Sequence, residues 1–549
     1  MDLPPQPQPV CDLDLELVEY VVDKSWPITA DRLVRGPNNV KAVFNSAFHT
    51  LNNELIQILR SIDPNGCIVE GYKQLELWTI LYHHAHDGTD NAGIEGPVEL
   101  APAARYGWRY VIEKSLELTD NDQYIKIRPA NSEIATIFTI LICMNWCSEW
   151  SDFLHFFPDD LSSVFITKHP PFLLSSPNLS GLEDKAFFEK RQYIALRVPP
   201  NKYEQFNPTL DDLELKNLIN RFLRSNFGFE LSHIIQFTEF LAVEICKHIS
   251  ITVHSFEYVS SWLSDGTKND KSVVKSFLNF ILLSPVKIRK EKRNYLSKSQ
   301  QARMINYCGL RLPNVRNLEA IYDSEAARRD YILNDKQHII LSPFMLGEWL
   351  DSLKYRLTHG QRSDLRTTSK KNKQLADIED YYRCQIFEGE LFKAIESIGY
   401  IGFLNLIKYT KSGKAERIPC GEIDIIAYNK TLKMLLLLEA KAHAGLIDSR
   451  SIHQCYQDHF TQKKYHQKFS EKIKWVKGNM NTIKDMFLTT YCDIDLFDVK
   501  QFKPIFITKY PSIVKYYVTD YDVMTYFEFL DTIKTNQANS ADAKSRAAD

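Results

Sequence analysis

The chain lacks any C-x-x-C pair. Ten cysteines are present, but none is accompanied by Cys or His at the spacing of a structural zinc site. Cys143 and Cys147 are four apart on an apolar stretch with Trp146 and Trp150, which reads as helical core packing. Long apolar runs are missing too, since 134–144 and 277–283 fall short of the roughly 20 residues a bilayer requires. The opening MDLPPQPQPV carries four prolines and neither a basic segment nor an apolar core, so 1–10 reads as a flexible tail and not a signal peptide. The expectation is a cytoplasmic protein with no membrane partner. No internal repeat is visible. Excess charge of one sign is also absent: 67 Lys and Arg against 69 Asp and Glu give a formal charge of −2, which excludes a uniformly basic nucleic-acid coat.

Charge is nevertheless segregated. Lys287, Arg289, Lys290, Lys292, Arg293, Lys298 and Arg303 crowd one stretch, and Lys354, Arg356, Arg362, Arg366, Lys370, Lys371 and Lys373 another. Local patches of this kind can track a phosphate backbone on a neutral protein, and equally well form solvated faces.

At 549 residues with 44% hydrophobic content, the length prior is about three or four domains. Residues 11–200 read as a largely helical α+β region, with amphipathic periodicity from Val40 to Leu59. Residues 201–362 read as a helical, basic middle region. The polar run 363–374 (SDLRTTSKKNKQ) reads as a linker, 375–530 as an α/β domain, and 531–549 as a tail disordered by composition. The string His83-His84-Ala85-His86-Asp87 holds metal-ligand residue types, but at the end of an apolar helical run before Gly88 it reads as a helix C-terminus.

The most informative stretch is 421–441, GEIDIIAYNKTLKMLLLLEAK. Asp424 lies in the apolar run Ile423 to Ala427, and Glu439 and Lys441 close a second run that begins at Met434. Short apolar runs bounded by turn residues predict buried strands, with Tyr428-Asn429-Lys430 as a tight connection. An antiparallel hairpin brings Asp424 beside Glu439, and the two-residue spacing sends Glu439 and Lys441 to one face. Buried carboxylates cost several kcal/mol each unless paired or metal-bound, so such a cluster points to chemistry. Oxygen donors without His or Cys suit Mg²⁺, with Mn²⁺ as a substitute, and a neighbouring lysine suits metal-assisted phosphodiester hydrolysis.

These residues resemble the core of the PD-(D/E)xK nuclease superfamily, in its Mrr-, NERD- and resolvase-like flavour, over the C-terminal third only. The resemblance implies a restriction-endonuclease-like domain, a mixed sheet flanked by helices, with Asp424 and Glu439 holding metal and Lys441 supporting the nucleophilic water. It also implies an acid on the preceding helix, Phe387 to Tyr400. Glu388 is the first choice for catalysis and metal binding, and Glu390, on another face, the second. A long polar helix from about Ile452 to Met486 is expected downstream, with Gln462 and Lys463 approaching the site and Lys464 joining them on the nucleic acid. Lys290, Arg293, Lys370 and Lys371 are further candidates for phosphate contact. Pro504 to Thr508 reads as another core strand. The resulting expectation is a Mg²⁺-dependent endonuclease, acting on DNA more readily than RNA, in antiviral defence or DNA processing. The N-terminal region would serve a protein partner or regulator, and a homo-oligomer is compatible with the reading. The alternative is a non-catalytic nucleic-acid-binding or protein-interaction scaffold on a nuclease fold.

Overall fold

The computed structural model describes residues 15–86, 100–119, 123–156, 163–166, 212–246, 251–289, 307–313, 337–360, 362–411, 414–442, 449–491 and 497–535. They divide into two compact units, one within 1–182, 216–354 and 364–367, the other within 183–215, 355–363 and 368–549.

The first unit opens with α1 (Leu15–Ser25), β1 (Arg32–Arg35), α2 (Pro37–Arg60), α3 (Pro64–His86), α4 (Ala101–Glu117), α5 (Asn131–Phe156) and β2 (Ser163–Ile166). Helix α2 covers the periodic stretch from Val40 to Leu59 and starts three residues ahead of it. Gly36 takes φ 84° and Pro37 supplies the first helical position, where its missing N–H costs nothing. Its buried stripe Val40, Phe44, Ala47, Leu51 and Leu55 repeats at three and four residues and packs along α5. Trp78 of α3 stacks on Phe138 of α5 at 5.1 Å. A Cβ at Gly107 would stand 2.7 Å from the Leu141 side chain, so α4 and α5 approach only because this position is glycine. Cys143 and Cys147 are buried in this core, and burial pushes the Cys143 thiol up to about 12.

Of the residues expected to form a separate middle region, 216–354 belong to the same unit, and 212–215 and 355–360 to the other. They form α6 (Leu213–Phe227), α7 (Leu231–Phe240), β3 (Thr252–Ser255), α8 (Phe256–Thr267), α9 (Lys271–Ile281), β4 (Leu282–Leu283), α10 (Pro285–Arg289), β5 (Gly309–Pro313), β6 (Gln337–Leu341) and α11 (Pro343–Thr358). The sheet β3-β6-β5-β4 contributes Val253, Leu283, Leu310 and Ile340 to the core that α2–α5 share. One apolar core therefore spans the boundary expected near residue 200. Helical backbone runs through His86, while Asp87 lies outside the described residues.

The run read as a linker, 363–374, holds residues of both units and is structured. Residues 363–365 form a 3₁₀ turn, and α12 (Ser369–Tyr381) begins on a Thr368 hydroxyl that accepts the Lys371 N–H at 3.3 Å. A π-helical turn, Tyr382–Phe387, joins α12 to α13 (Glu388–Ser397). Then come β7 (Ile401–Leu406), β8 (Lys408–Lys411), β9 (Lys414–Arg417), β10 (Ile423–Asn429), β11 (Met434–Lys441), α14 (Ser449–Phe460), α15 (Tyr465–Gly478), α16 (Met480–Thr490), β12 (Gln501–Thr508), β13 (Asp522–Thr525) and α17, the helix over 526–535.

The main sheet is mixed, in the order β13-β12-β11-β10-β7. Strand β10 runs antiparallel to both β7 and β11, while β12 is parallel to β11 and β13 to β12. One face packs Ile425, Ala427, Leu436, Leu438 and Ala440 against Phe387, Leu391 and Ile395 around α13 and Phe529 and Ile533 of α17. The other packs Ile426, Tyr428, Leu435 and Leu437 against Phe469, Ile473 and Val476 of α15 and Phe487 of α16. Both faces are covered, which is why β10 and β11 read as continuous apolar runs. The hairpin connection is longer than the expected Tyr428-Asn429-Lys430. Strand β10 continues to Asn429, whose side-chain oxygen accepts the Leu432 N–H at 2.9 Å, and Lys433 takes φ 50° before β11 starts. No helix among the described residues is long and apolar enough to cross a membrane. Residues 1–14 and 536–549 lie outside the described residues.

Candidate active site

Ile425 pairs with Leu438, and one further step of the same antiparallel register sets Asp424 opposite Glu439. Their parity along the strands is that of Ile426 and Leu437, so Asp424, Glu439 and Lys441 face α15. The side chains of Asp424, Glu439 and Lys441 are 9%, 5% and 14% exposed. Lys441 Nζ donates to Asp424 Oδ2 at 3.0 Å and to the Ala440 carbonyl at 3.0 Å, and lies 2.8 Å from Glu439 Oε1. The Ala440 N–H donates to Asp424 Oδ2 at 2.9 Å.

A second ammonium enters from the helix. Lys472 of α15, itself buried, pairs with Glu439 Oε2 and donates to Asp424 Oδ1 at 3.5 Å. The residues give direct warning of it: Phe469, Lys472, Ile473 and Val476 occupy one helical face at three- and four-residue spacing, so a lysine stands in an apolar stripe. Sequence reasoning selected Gln462 and Lys463 instead. The expected single helix from Ile452 to Met486 is three helices, broken between Phe460 and Tyr465 and again at Asn479. Gln462 and Lys463 lie in the first break, both exposed. Gln462 accepts from Gln454 at 2.9 Å, and Lys463 pairs with Asp458 at 2.6 Å. Lys464 adopts a left-handed φ of 53° just before α15.

Charges set one another's state. Burial pushes the Asp424 carboxyl up, but Lys441 and Lys472 outweigh it and hold it below the usual carboxylate range. Burial likewise opposes the charge on Lys441, and Asp424 and Glu439 overcome it, keeping the ammonium well above its ordinary range. Glu388, at the start of α13, is 4% exposed, with Arg383 Nε 4.0 Å from its Oε1. Burial, then the Asp424 carboxylate, pushes Glu388 up to about 8 against the pull of Lys441 and Arg383. Glu390 is half-buried and pairs with Lys393 at 2.9 Å.

Around this cluster, the Tyr465 ring lies 5.5 Å from Lys441 Nζ and 5.8 Å from Lys463 Nζ. Tyr521 shares hydrogen bonds with His459 Nε2 at 2.8 Å and His466 Nδ1 at 3.1 Å. Among the described residues no three His, Cys, Asp or Glu side chains gather closely enough to hold a metal ion, so Glu388 does not join Asp424 and Glu439 as a ready-made cage. Two carboxylates converge, within the one or two that Mg²⁺ commonly takes from protein. Of the other expected contacts, Lys370 and Lys371 occupy the first turn of α12, while Lys290 and Arg293 lie outside the described residues. Compared with protein-family models, with curated proteins and with solved structures, the chain matches none.

Proposed function

We propose that the chain is a metal-dependent phosphodiesterase, and more narrowly an endodeoxyribonuclease of PD-(D/E)xK type acting on foreign DNA or in DNA processing. The observation that carries the reading is the buried convergence of Asp424, Glu439, Lys441 and Lys472 at the ends of two adjacent strands, with Glu388 beside them. Four charged groups taken out of water cost far more than an apolar core of the same volume. A restriction-endonuclease-like fold accords with the mixed sheet flanked by helices on both faces.

Asp424 and Glu439 would hold Mg²⁺ or Mn²⁺, with Glu388 as the third acid of the neighbourhood. The ion supplies Lewis-acid polarisation of a phosphoryl oxygen and a water acidic enough to attack. Lys441, fixed by three acceptors, presents a permanent positive charge where negative charge develops on the phosphate. The Tyr465 ring and the exposed Lys463 and Lys464 next to it suit a nucleotide chain better than a compact phosphate.

A second reading rests on the same ion pairs. Two ammoniums already neutralise the two carboxylates, so the cluster could serve a non-catalytic scaffold without metal. Incubating the purified protein with plasmid, linear DNA and RNA, in Mg²⁺ or EDTA, separates the two. Mg²⁺-dependent cleavage that Asp424→Ala and Glu439→Ala abolish is the expected result. Equal cleavage by folded Asp424→Ala protein, or none by the native chain on any substrate, would refute the nuclease.

A further inference from the structure

The two lysines of the cluster are not equivalent. Asp424 Oδ2 is committed to the Ala440 N–H and to Lys441, and Glu439 Oε1 faces Lys441 as well. The remaining oxygens, Asp424 Oδ1 and Glu439 Oε2, are the pair open to another cation, and both face Lys472. Lys441 sits two residues beyond Glu439 on the same strand and also donates to its own backbone at Ala440 O, so its three protons have three acceptors. Lys472 reaches the site from a different element, α15, on a four-carbon stem. Its helix is anchored independently by Phe469, Ile473 and Val476, so the ammonium can leave while the backbone stays in place. Its approach to Asp424 Oδ1 is long, at 3.5 Å, against 3.0 Å for Lys441 on the other oxygen.

We propose that Lys472 is the resident cation of this site: its ammonium fills the seat between Asp424 Oδ1 and Glu439 Oε2 that a divalent ion takes, and metal binding expels it toward the substrate. This rests on the metal-dependent reading above and adds to it a built-in competitor. The physical reason is exclusion. A Mg²⁺ or Mn²⁺ ion takes carboxylate oxygens at about 2.0–2.2 Å, and an ammonium cannot share the same two oxygens with it. Without metal, Lys472 adds a second positive charge to that of Lys441 between the two buried carboxylates. With metal bound, the displaced ammonium is a cation on a flexible stem beside the ion, free to meet a phosphate oxygen. Binding is weakened by the cost of breaking the lysine pairs, and substrate oxygens that add their own coordination tighten it.

The test is isothermal titration of the full chain with Mn²⁺ alone, for native protein, Lys472→Met and Lys441→Met. One neighbouring opposite charge shifts a carboxylate's proton affinity by about one to three decades, and a divalent cation competing for the same oxygens is subject to an effect of at least that order. Lys472→Met is therefore expected to bind Mn²⁺ at least ~tenfold more tightly, and more tightly than Lys441→Met. Because the variant can fold poorly, the native protein is also labelled with an amine-reactive ester and read by peptide mass spectrometry. Mn²⁺ should increase labelling at Lys472 while leaving the exposed Lys474 unchanged. Native protein that binds Mn²⁺ while Lys472→Met binds it equally or more weakly, or labelling of Lys472 that saturating Mn²⁺ leaves unaltered, overturns the displacement alone. Absence of Mn²⁺ binding in both proteins overturns the metal site itself.

Discussion

Replacing Lys441 by Met tests how much of the cluster is structure and how much chemistry. The ammonium lies 3.0 Å from Asp424 Oδ2 and 2.8 Å from Glu439 Oε1, between side chains that are 9% and 5% exposed. At an effective dielectric near 20, each such pairing is worth on the order of 5 kcal/mol before desolvation is charged against it. Removing one partner of a buried pair costs about 3–5 kcal/mol, because the other charge stays buried. Lys472 remains as a second cation, which sets the expectation at the low end, about 3 kcal/mol. For a unit of this size that is a fall in thermal midpoint of roughly 6–12 °C. Asp424→Asn removes the carboxylate's charge at nearly constant shape, so in the double variant Lys441→Met should cost much less. The expected coupling is about 2 kcal/mol. The sign with pH follows from Asp424, whose folded-state pKa is depressed: the stabilisation is full above its ordinary value of 3.8 and is lost as pH falls through the lower folded value. The assay is a double-mutant cycle by thermal and urea denaturation at pH 7, monitored on the transition of the C-terminal unit. Additive effects, with coupling within about 0.5 kcal/mol of zero, would show that these charges do not depend on one another and refute the argument.

Glu388→Gln should weaken Mn²⁺ binding and slow cleavage, while Glu390→Gln, whose side chain is engaged with Lys393, should leave both nearly unchanged; a titration of the two variants giving the reverse order would put Glu390, not Glu388, at the metal. Lys509 is buried just beyond β12, donates to Tyr382 Oη at 2.7 Å, and burial pushes its ammonium down to about 7. Its unfolded form therefore binds more protons from pH 7 to 10.5, so stability rises with pH across that window. Lys509→Met should stabilise by on the order of 2 kcal/mol at pH 7 after loss of the Tyr382 bond, with the gain fading toward pH 10.5 in denaturation curves; a destabilised variant at pH 7 would contradict this. Neutralising Lys370 with Lys371, or Lys290 with Arg293, should weaken binding of Asp424→Ala protein to every DNA sequence alike. The log–log salt slope should drop by up to about 0.9 for each phosphate the variant no longer neutralises, and an unchanged slope in filter binding would make these residues solvated faces.

The trio Asp424, Glu439 and Lys441 could be found from sequence because it is nearly local. The three sit on one hairpin, where a period of two and a single turn fix which side chains share a face. The apolar runs around them follow from a sheet covered on both sides, and the stripe from Val40 to Leu59 becomes α2 for the same kind of reason. Lys472 escaped because its place depends on where the downstream helices break. Lys464 adopts a left-handed backbone before α15, and that break resets which residues face the sheet, so a face extrapolated from one long helix pointed to Gln462 and Lys463. Strand β7 and the π-helical turn that delivers Glu388 were also beyond reach, since their partners lie on separate elements. So was the merging of the N-terminal and middle regions, because a core shared by α2–α5 and the β3-β6-β5-β4 sheet leaves no local mark. The acids and the first lysine of the cluster are written in short-range periodicity. Which second cation guards them was decided by tertiary packing, 31 residues beyond Lys441: the apolar stripe marks Lys472 as inward-facing, but only the docked helix sets it against these acids.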